Sequence, residues 1–268
     1  MRELAFVGSR DGDPISVLFS FTAIPEPGIT RRHARGWVAH GAGWEQFLDA
    51  ETSTRDGGAV WRVVPTEDLR VTVGGPAEVE SLAFRRAERA LRLEVDGIRS
   101  GWTTFRTSRF RMLEGRVRLG AGWVEGVVLE VQRFLPRPGE GEEGSWVLLS
   151  DGDGTQVVVA EMQAGEDAPE RLAWTLFGDE ERTWESFSMR PREMAVFDAA
   201  RREIPDGWNI LVPEARTRIT AVSDALDPTA GEERRGRRAV DARYALSGVA
   251  DLAGEETPVF GIGRYLAR

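Results

Sequence analysis

The stretch Leu91-Arg92-Leu93-Glu94-Val95-Asp96 alternates apolar and charged side chains, and Gly97 follows it directly. Successive side chains of a β-strand point to opposite faces, so the three apolar side chains share one face and the three charged ones share the other. An Asp-Gly pair is a typical signal of a tight turn. The stretch therefore predicts a half-buried strand that ends in a turn.

The same period of two recurs along the chain. Ile15, Val17, Phe19 and Phe21 form one apolar face, and similar strands are predicted at 146–149 and 156–160. Turn signals separate such segments at short spacing, among them Asp11-Gly12, Asp56-Gly57-Gly58, Asp151-Gly152-Asp153-Gly154 and Pro205-Asp206-Gly207. Many short strands joined by turns favour an all-β protein of antiparallel barrels or sandwiches with few short helices.

Three segments fall outside the simple pattern of alternating strands and short turns. Residues 77–90 fit a helical face, but a hairpin that turns at Ala87-Glu88-Arg89 also fits, and we favour the hairpin. Asp151–Thr155 is similar to the start of a calcium loop, yet Met162 stands where the bidentate glutamate belongs, so we predict a hairpin turn. Pro136–Gly144 is polar and rich in glycine, which predicts a long hairpin loop.

Composition excludes several classes of function. The 268 residues carry a net charge of −9, and all of the Lys+Arg groups are arginine. An acidic chain repels phosphate backbones, so we expect no nucleic-acid partner. The chain has no cysteine, which excludes disulfides and thiolate sites, and it has no apolar run as long as a membrane span. It begins without a signal-peptide pattern, so we expect a cytoplasmic protein.

The sequence has few of the residues that usually carry out acid–base catalysis or bind metal ions. His33 and His40 are the only histidines, and no Gly-x-Ser-x-Gly motif is present. Neither a zinc site nor a serine triad is therefore expected. Pairs such as Gly261-Ile-Gly263 do not extend into a nucleotide-binding motif. We predict no metal and no cofactor.

The segment Gly122–Val131 supplies the best chemical signal. Its odd positions are apolar except for Glu125, so we expect that face, and Glu125 with it, to point into an apolar interior. A carboxyl group there would be a candidate general acid or a neutral hydrogen-bond donor. The alternative is an internal salt bridge between Glu125 and an arginine of the upstream segment 106–118.

Aromatic side chains are the candidate pocket walls. Most of the nine tryptophans are expected in cores, but Trp102, Trp123 and Trp208 sit beside glycines or turns and are candidate ligand-binding residues, as is Tyr244. Tyr265 shares a face with Gly261 and Gly263, where missing side chains would leave room for a ligand. Its phenol would then donate to a ligand carbonyl, or it would simply close the end of a barrel.

Several motifs resemble the carotenoid hydratase/AttH-like branch of the lipocalin superfamily. Members carry Gly-x-Gly-Trp-Met-Asp-His-Gln-Trp, then a Trp-containing strand with an Asp-Gly-Thr hairpin, a Pro-x-x-Trp-x-Ile-x-x-Pro strand and a closing Val-x-Gly-x-Gly-Tyr. The counterparts here are Gly120–Glu125, Trp146–Thr155, Ile204–Pro213, Tyr244–Gly248 and Pro258–Tyr265.

The resemblance implies two lipocalin-like domains in tandem, which we place at 1–115 and 116–268, with a pocket for an apolar small molecule. The family includes carotenoid hydratases and decalin-forming cyclases of the Diels–Alder type. Its Asp-His pair falls on Glu125-Gly126, so the imidazole is missing and hydration is placed in doubt. We therefore expect a cyclase acting on a polyene, polyketide or terpenoid. The alternatives are a carrier that does no chemistry and a hydratase or isomerase of isoprenoid alkenes that uses Glu125.

Overall fold

The computed structural model describes residues 1–41, 43–55, 62–75, 78–104, 108–120, 122–133, 142–164, 168–234 and 236–268. The first nine strands form one antiparallel sheet in the order β4-β3-β2-β1-β9-β8-β7-β6-β5. The strands are β1 (Arg2–Arg10), β2 (Asp13–Glu26), β3 (Ile29–His40), β4 (Gly43–Thr54), β5 (Leu69–Val73), β6 (Val79–Arg86), β7 (Arg89–Thr104), β8 (Ser108–Leu119) and β9 (Gly122–Arg133).

A second nine-stranded sheet has the order β13-β12-β11-β10-β20-β19-β18-β17-β14, and β15 pairs with β16 as a separate ribbon. Two 3-10 turns, Asp198–Ala200 and Pro213–Ala215, are the helical elements of the described chain. The strands are β10 (Glu142–Ser150), β11 (Thr155–Ala164), β12 (Glu170–Phe177), β13 (Glu180–Trp184), β14 (Ser188–Pro191), β15 (Met194–Phe197), β16 (Arg202–Pro205), β17 (Gly207–Val212), β18 (Thr217–Arg234), β19 (Arg237–Leu252) and β20 (Glu255–Ala267).

The first sheet curls until its two ends share one core. Phe47 on β4 and Phe84 on β6 lie near opposite ends of the strand order, yet their ring centroids are 5.0 Å apart. Leu4 and Phe6 on β1 and Val128 on β9 are buried in the same cluster. Alternate side chains of each strand face this cluster, as the pleat of a strand requires.

The second sheet encloses a core of its own. Strands β10, β11 and β17–β20 contribute apolar side chains to it, with Trp208 and Tyr244 among the largest. The β15–β16 ribbon adds Ala200, in the 3-10 turn that joins its two strands, and Ile204 on β16, both almost fully buried in the same cluster. The ribbon therefore packs onto the core of this sheet.

These findings confirm the all-β prediction of two antiparallel units with few short helices. The predicted hairpin between β6 and β7 is confirmed as well: Arg86 pairs with Arg89, and Ala87 takes a left-handed φ of 50°. The hairpin at Asp151 is also confirmed, since its carboxylate accepts hydrogen bonds from the backbone N–H groups of Asp153, Gly154 and Thr155 at 2.8–2.9 Å.

The division of the chain differs from the predicted boundary. One compact unit contains residues 1–40 and 45–138, and the other contains residues 41–44 and 139–268. A boundary at 115/116 falls inside β8, which pairs with β7 on one side and β9 on the other. Of the predicted hairpin loop, residues 136–141 lie outside the described residues and 142–144 are the first residues of β10. The flanking strands β9 and β10 belong to different sheets, so they do not pair as a hairpin.

In the part of the chain that the structure describes, no helix has the length and apolar character that crossing a membrane requires.

Candidate functional site

Three of the predicted site residues come together on the inner face of the second sheet. Trp208 on β17 and Tyr244 on β19 are almost fully buried, and Tyr265 on β20 packs against the same cluster. Tyr244 is paired with Gly263, and Tyr265 with Ala242. The two tyrosines are therefore diagonal neighbours on adjacent strands, a separation that aromatic side chains can bridge.

The hydroxyl group of Tyr244 is the unusual group of this cluster. The side chain is 0% exposed, and its oxygen has no hydrogen-bond partner among the described residues. Burial raises the pKa of Tyr244 far above its usual range, and Tyr265 and Asp206 add to the effect. The phenol is therefore a neutral donor with an unused proton, and leaving such a group unpaired costs free energy.

The two glycines beside the tyrosines do not leave space for a ligand, which corrects the sequence-based expectation. A Cβ atom on Gly263 would lie 3.1 Å from Cζ3 of Trp208 and 3.2 Å from Cδ1 of Leu246. A Cβ atom on Gly261 would lie 2.0 Å from the carbonyl oxygen of Leu148. The missing side chains instead allow the indole and the neighbouring strand to pack closely.

Tyr265 marks the point where this inner face meets the surface. Its half-buried side chain lines an open groove of about 290 Å³ together with Glu143, Met162, Arg202 and the chain around Leu266. Burial raises the pKa of Tyr265; the charge of Arg202 opposes this rise and that of Glu143 adds to it. A ligand in the groove would thus meet a neutral phenol with a guanidinium and a carboxylate near it.

Glu125 does not lie on an apolar wall, so the sequence-based placement is wrong. Its side chain is exposed, whereas Val124 and Val128 of the same strand belong to the buried core. The even positions face the core, and β9 is apolar on both faces because Val127, Leu129 and Val131 are buried too. Alternation on a strand of this kind cannot identify the inward face.

The other two predicted pocket residues lie in the first unit. Trp123 is half-buried and packs under the guanidinium of Arg116, whose Cζ is 4.6 Å from the ring centroid. Arg116 is also the cross-strand partner of Glu125. Trp102 lies on β7 opposite Phe110, and its side chain falls outside what the structure describes.

Sequence reasoning missed a buried ion network in the first unit. The carboxylate of Glu130 accepts hydrogen bonds from Arg2 and Arg111, and Arg111 also donates to Glu78. Arg2, Arg111 and Glu130 are each less than 5% exposed. The sequence did contain one signal of this network. Arg2 is two residues before Leu4 and four before Phe6, so alternation along the strand places it on the same inward face.

Comparison of the sequence with protein-family models gives no match, and no curated protein matches it either. Solved structures do match. A protein of Nitrosomonas europaea described as an AttH is 11% identical with a TM-score of 0.64, over 99% of this chain and 90% of that one. Kievitone hydratase from Nectria haematococca is 10% identical with a TM-score of 0.60, over 99% and 87%.

A third similar structure is CghA with Sch210972, at 13% identity and a TM-score of 0.54 over 99% of this chain and 86% of that one. At these identities the likeness concerns the fold. The chain shares the fold of these solved structures, among them an AttH, which confirms the resemblance at the level of the fold. One of the similar structures is named as a hydratase, and another was determined with Sch210972.

Proposed function

We propose that the protein is an enzyme that binds an apolar polyene, polyketide or terpenoid at the groove of the second unit and catalyses its intramolecular cyclisation. Tyr265 donates a hydrogen bond to a substrate carbonyl at the groove, and Tyr244 supplies a second donor behind it. The observation that carries the proposal is the hydroxyl group of Tyr244, which has no hydrogen-bond partner within the described part of the chain and lies one diagonal step from the residue that lines the groove, Tyr265.

A cycloaddition suits this set of side chains. The reaction moves no proton, so it needs neither a histidine base nor a strong acid. It gains rate when the reactive conformer is held in place, an effect that reaches about 7–11 kcal/mol in ideal cases. A donor to a carbonyl conjugated with the reacting alkene withdraws electron density and lowers the barrier further. Phenols with raised pKa values remain protonated, and hence remain donors, at neutral pH.

The decisive experiment is to incubate the protein with linear polyenes that carry a conjugated carbonyl and to follow the products by chiral chromatography with mass spectrometry. We expect a rate above the spontaneous one and a single stereoisomer. Tyr265→Phe should lower kcat about fivefold to tenfold, because one hydrogen bond between neutral groups in the transition state is worth about 1–1.5 kcal/mol. Spontaneous rates and unchanged stereochemistry with every polyene would contradict the proposal.

The same experiment distinguishes a carrier. A carrier would quench tryptophan fluorescence on binding the polyene and would release it chemically unchanged. Trp208 is the expected reporter of such quenching, because it belongs to the core cluster against which Tyr265 packs.

Hydration is the second catalytic candidate, because one similar structure is a hydratase. Addition of water to an alkene needs a strong proton donor, and Glu125 is the acid group that the family motif assigns to this role. An exposed carboxyl group keeps its contact with water and is a poor donor to an alkene. Glu125→Gln should therefore leave turnover unchanged, and loss of turnover in this variant would favour hydration instead.

A further inference from the structure

The β15–β16 ribbon is attached to the second unit differently from the other strands. Among the described strands its two members pair only with each other, and neither joins the nine-stranded sheet. The 3-10 turn between them forms the tip of the ribbon, and residues 192–193 and 206–207 form its base. The ribbon can therefore move without breaking any strand pairing of the larger sheet.

The base of the ribbon is held by several hydrogen bonds. The backbone N–H of Arg192 donates to the carbonyl oxygen of Gly207 at 3.0 Å, and that of Asp206 donates to Glu193 at 3.1 Å. The Asp206 carboxylate accepts from the backbone N–H of Glu193 at 3.0 Å and from the guanidinium of Arg192. The backbone N–H of Ser223 donates to the carbonyl oxygen of Asp206 at 2.9 Å, which ties the base to β18. These bonds fix the position of the base.

The tip is held by much less. Between residues 194–205 and the rest of the described chain there is one hydrogen bond, from Nε of Arg202 to the carbonyl oxygen of Arg238 at 2.8 Å. The other attachment is apolar, since Ala200 and Ile204 are buried in the core of the second sheet. A hairpin with a firm base and a lightly held tip has the features of a segment that opens locally.

The ribbon lies beside the two tyrosines of the proposed site. Its buried side chains belong to the same apolar cluster as Trp208 and Tyr244, and its turn lies against β19, the strand that carries Tyr244. Arg202 lines the groove of about 290 Å³ together with Tyr265. The ribbon therefore borders the groove and packs onto the core behind it.

Tyr244 has no open route to solvent in this structure. Its side chain is fully buried, and the residue itself is paired with Leu226 on β18 and with Gly263 on β20. A route through the sheet would require these strands to separate. A route beneath the ribbon would require one hydrogen bond to break and the side chains of Ala200 and Ile204 to be exposed. The ribbon is the element that is easier to displace.

We propose that the β15–β16 ribbon is a flap that opens at its tip to admit the substrate from the groove to Tyr244 and then closes over it. Substrate entry rests on the proposed function, whereas the opening is a property of the free protein. The tip swings about the fixed base and the bond of Arg202 to Arg238 breaks, while the sheet stays folded. Flap motions of this kind occur in microseconds to milliseconds.

A single introduced thiol tests the opening, because the chain has no cysteine of its own. Ala200→Cys places the thiol at the tip. Ala173→Cys is the matched control, since Ala173 is equally buried in the same core but lies on β12, which pairs with β11 and β13. We expect dithionitrobenzoate to label Ala200→Cys at least about a hundredfold faster, because the control thiol reacts only when the sheet unfolds. Equal labelling rates would overturn the proposal.

Arg202→Gln, made together with Ala200→Cys, tests the bond at the tip. Labelling should accelerate about fivefold, because the closed state loses one hydrogen bond. Arg218→Gln is the control, since Arg218 is exposed on β18 and its loss changes the net charge equally. The same labelling rate in both variants would show that Arg202 does not hold the tip closed.

If Ala200→Cys does not fold, methyl relaxation dispersion of the wild-type protein provides the test. Ile204 on the ribbon and Ile219 on β18 are matched probes, because both are buried in the same core. Exchange at Ile204 and not at Ile219 would support the flap, and flat profiles at both would overturn it.

These measurements need no substrate, so the flap and the proposed function can fail separately. Opening in a protein that converts no polyene would support the flap and contradict the cyclisation. Turnover of a polyene by a protein in which the thiol of Ala200→Cys is labelled no faster than that of Ala173→Cys would overturn the flap.

Discussion

The ring of Tyr244 meets the indole of Trp208 edge to face, with centroids 4.7 Å apart and an interplanar angle of 71°. This geometry places the positive edge of one ring over the negative face of the other, which is a favourable arrangement. The contact fixes the position of the Tyr244 ring, and so it fixes the position of its hydroxyl group within the apolar core. The geometry of the proposed site depends on this pair.

Tyr244→Phe should leave the protein at least as stable as the wild type. The hydroxyl has no partner among the described residues, so its removal deletes a buried, unsatisfied polar group. We expect the free energy of unfolding to be unchanged or higher by about 1 kcal/mol, as measured by urea denaturation.

Tyr265→Phe is the control for this substitution, since the half-buried phenol lines an open groove and keeps contact with solvent. We expect a change below about 0.5 kcal/mol there. A loss of more than 1 kcal/mol in Tyr244→Phe would mean that the hydroxyl has a partner in the folded protein, and the argument for a ligand at this position would fail.

Gly263→Ala tests the close packing beneath Trp208. The added methyl group would lie 3.1–3.3 Å from the side chains of Trp208, Leu246 and Val147. Overpacking of this kind costs about 1–3 kcal/mol, so the melting temperature should fall. Gly154→Ala is the control, because its new Cβ would lie 3.8 Å from Gly178, an ordinary contact. Equal melting temperatures for the two variants would show that the indole moves aside at little cost.

Glu130→Gln tests the buried ion network of the first unit. The substitution leaves the guanidinium groups of Arg2 and Arg111 without the carboxylate that they share, and breaking a buried pair costs about 3–5 kcal/mol. Glu94→Gln provides the comparison, since Glu94 pairs with Arg92 and Arg116 at the surface, where such pairs contribute about 0–1 kcal/mol. Chemical denaturation of both variants measures the difference, and similar losses would contradict the assignment of a buried network.

Asp151 should make stability depend on pH. Burial alone would raise the pKa of its carboxyl group, but hydrogen bonds from the Thr155 side chain and from three backbone N–H groups lower that pKa below its ordinary value. A carboxylate of this kind stabilises the folded state above its unfolded pKa of about 3.9, and the contribution is lost as the pH falls through the lower folded value.

Asp151→Ala should therefore cost about 1–3 kcal/mol at pH 7, and the difference from the wild type should shrink below pH 4. Asp153→Ala is the control in the same turn, because its side chain is exposed. Thermal melts of the three proteins from pH 2.5 to pH 7 give the comparison. A constant difference across that range would show that the hydrogen bonds do not depend on the charge of Asp151.

The strands whose two faces differ were predictable. At the start of β7 one face is apolar and the other charged, so the periodicity identified both the strand and its inward side, and Leu91 and Leu93 lie in the first core. On β9 both faces carry buried valine or leucine, and the same rule assigned Glu125 to the wrong side. Alternation identifies the inward face only where the side chains of the two faces differ in polarity. Over most of β9 both faces are apolar, so the rule cannot be applied there.

The sequence by itself determined an all-β chain, its hairpins at Ala87 and Asp151, and the family of folds, because turn chemistry and side-chain alternation are local properties. Tertiary structure alone decided which residues meet. It placed Trp208 in the space above Gly263, joined Arg2 to Glu130 across 128 positions, and buried the Tyr244 hydroxyl where none of the described residues is its hydrogen-bond partner. Such contacts arise because each sheet curls and brings together strands that are distant in sequence. A local sequence pattern does not determine which of these distant strands will meet.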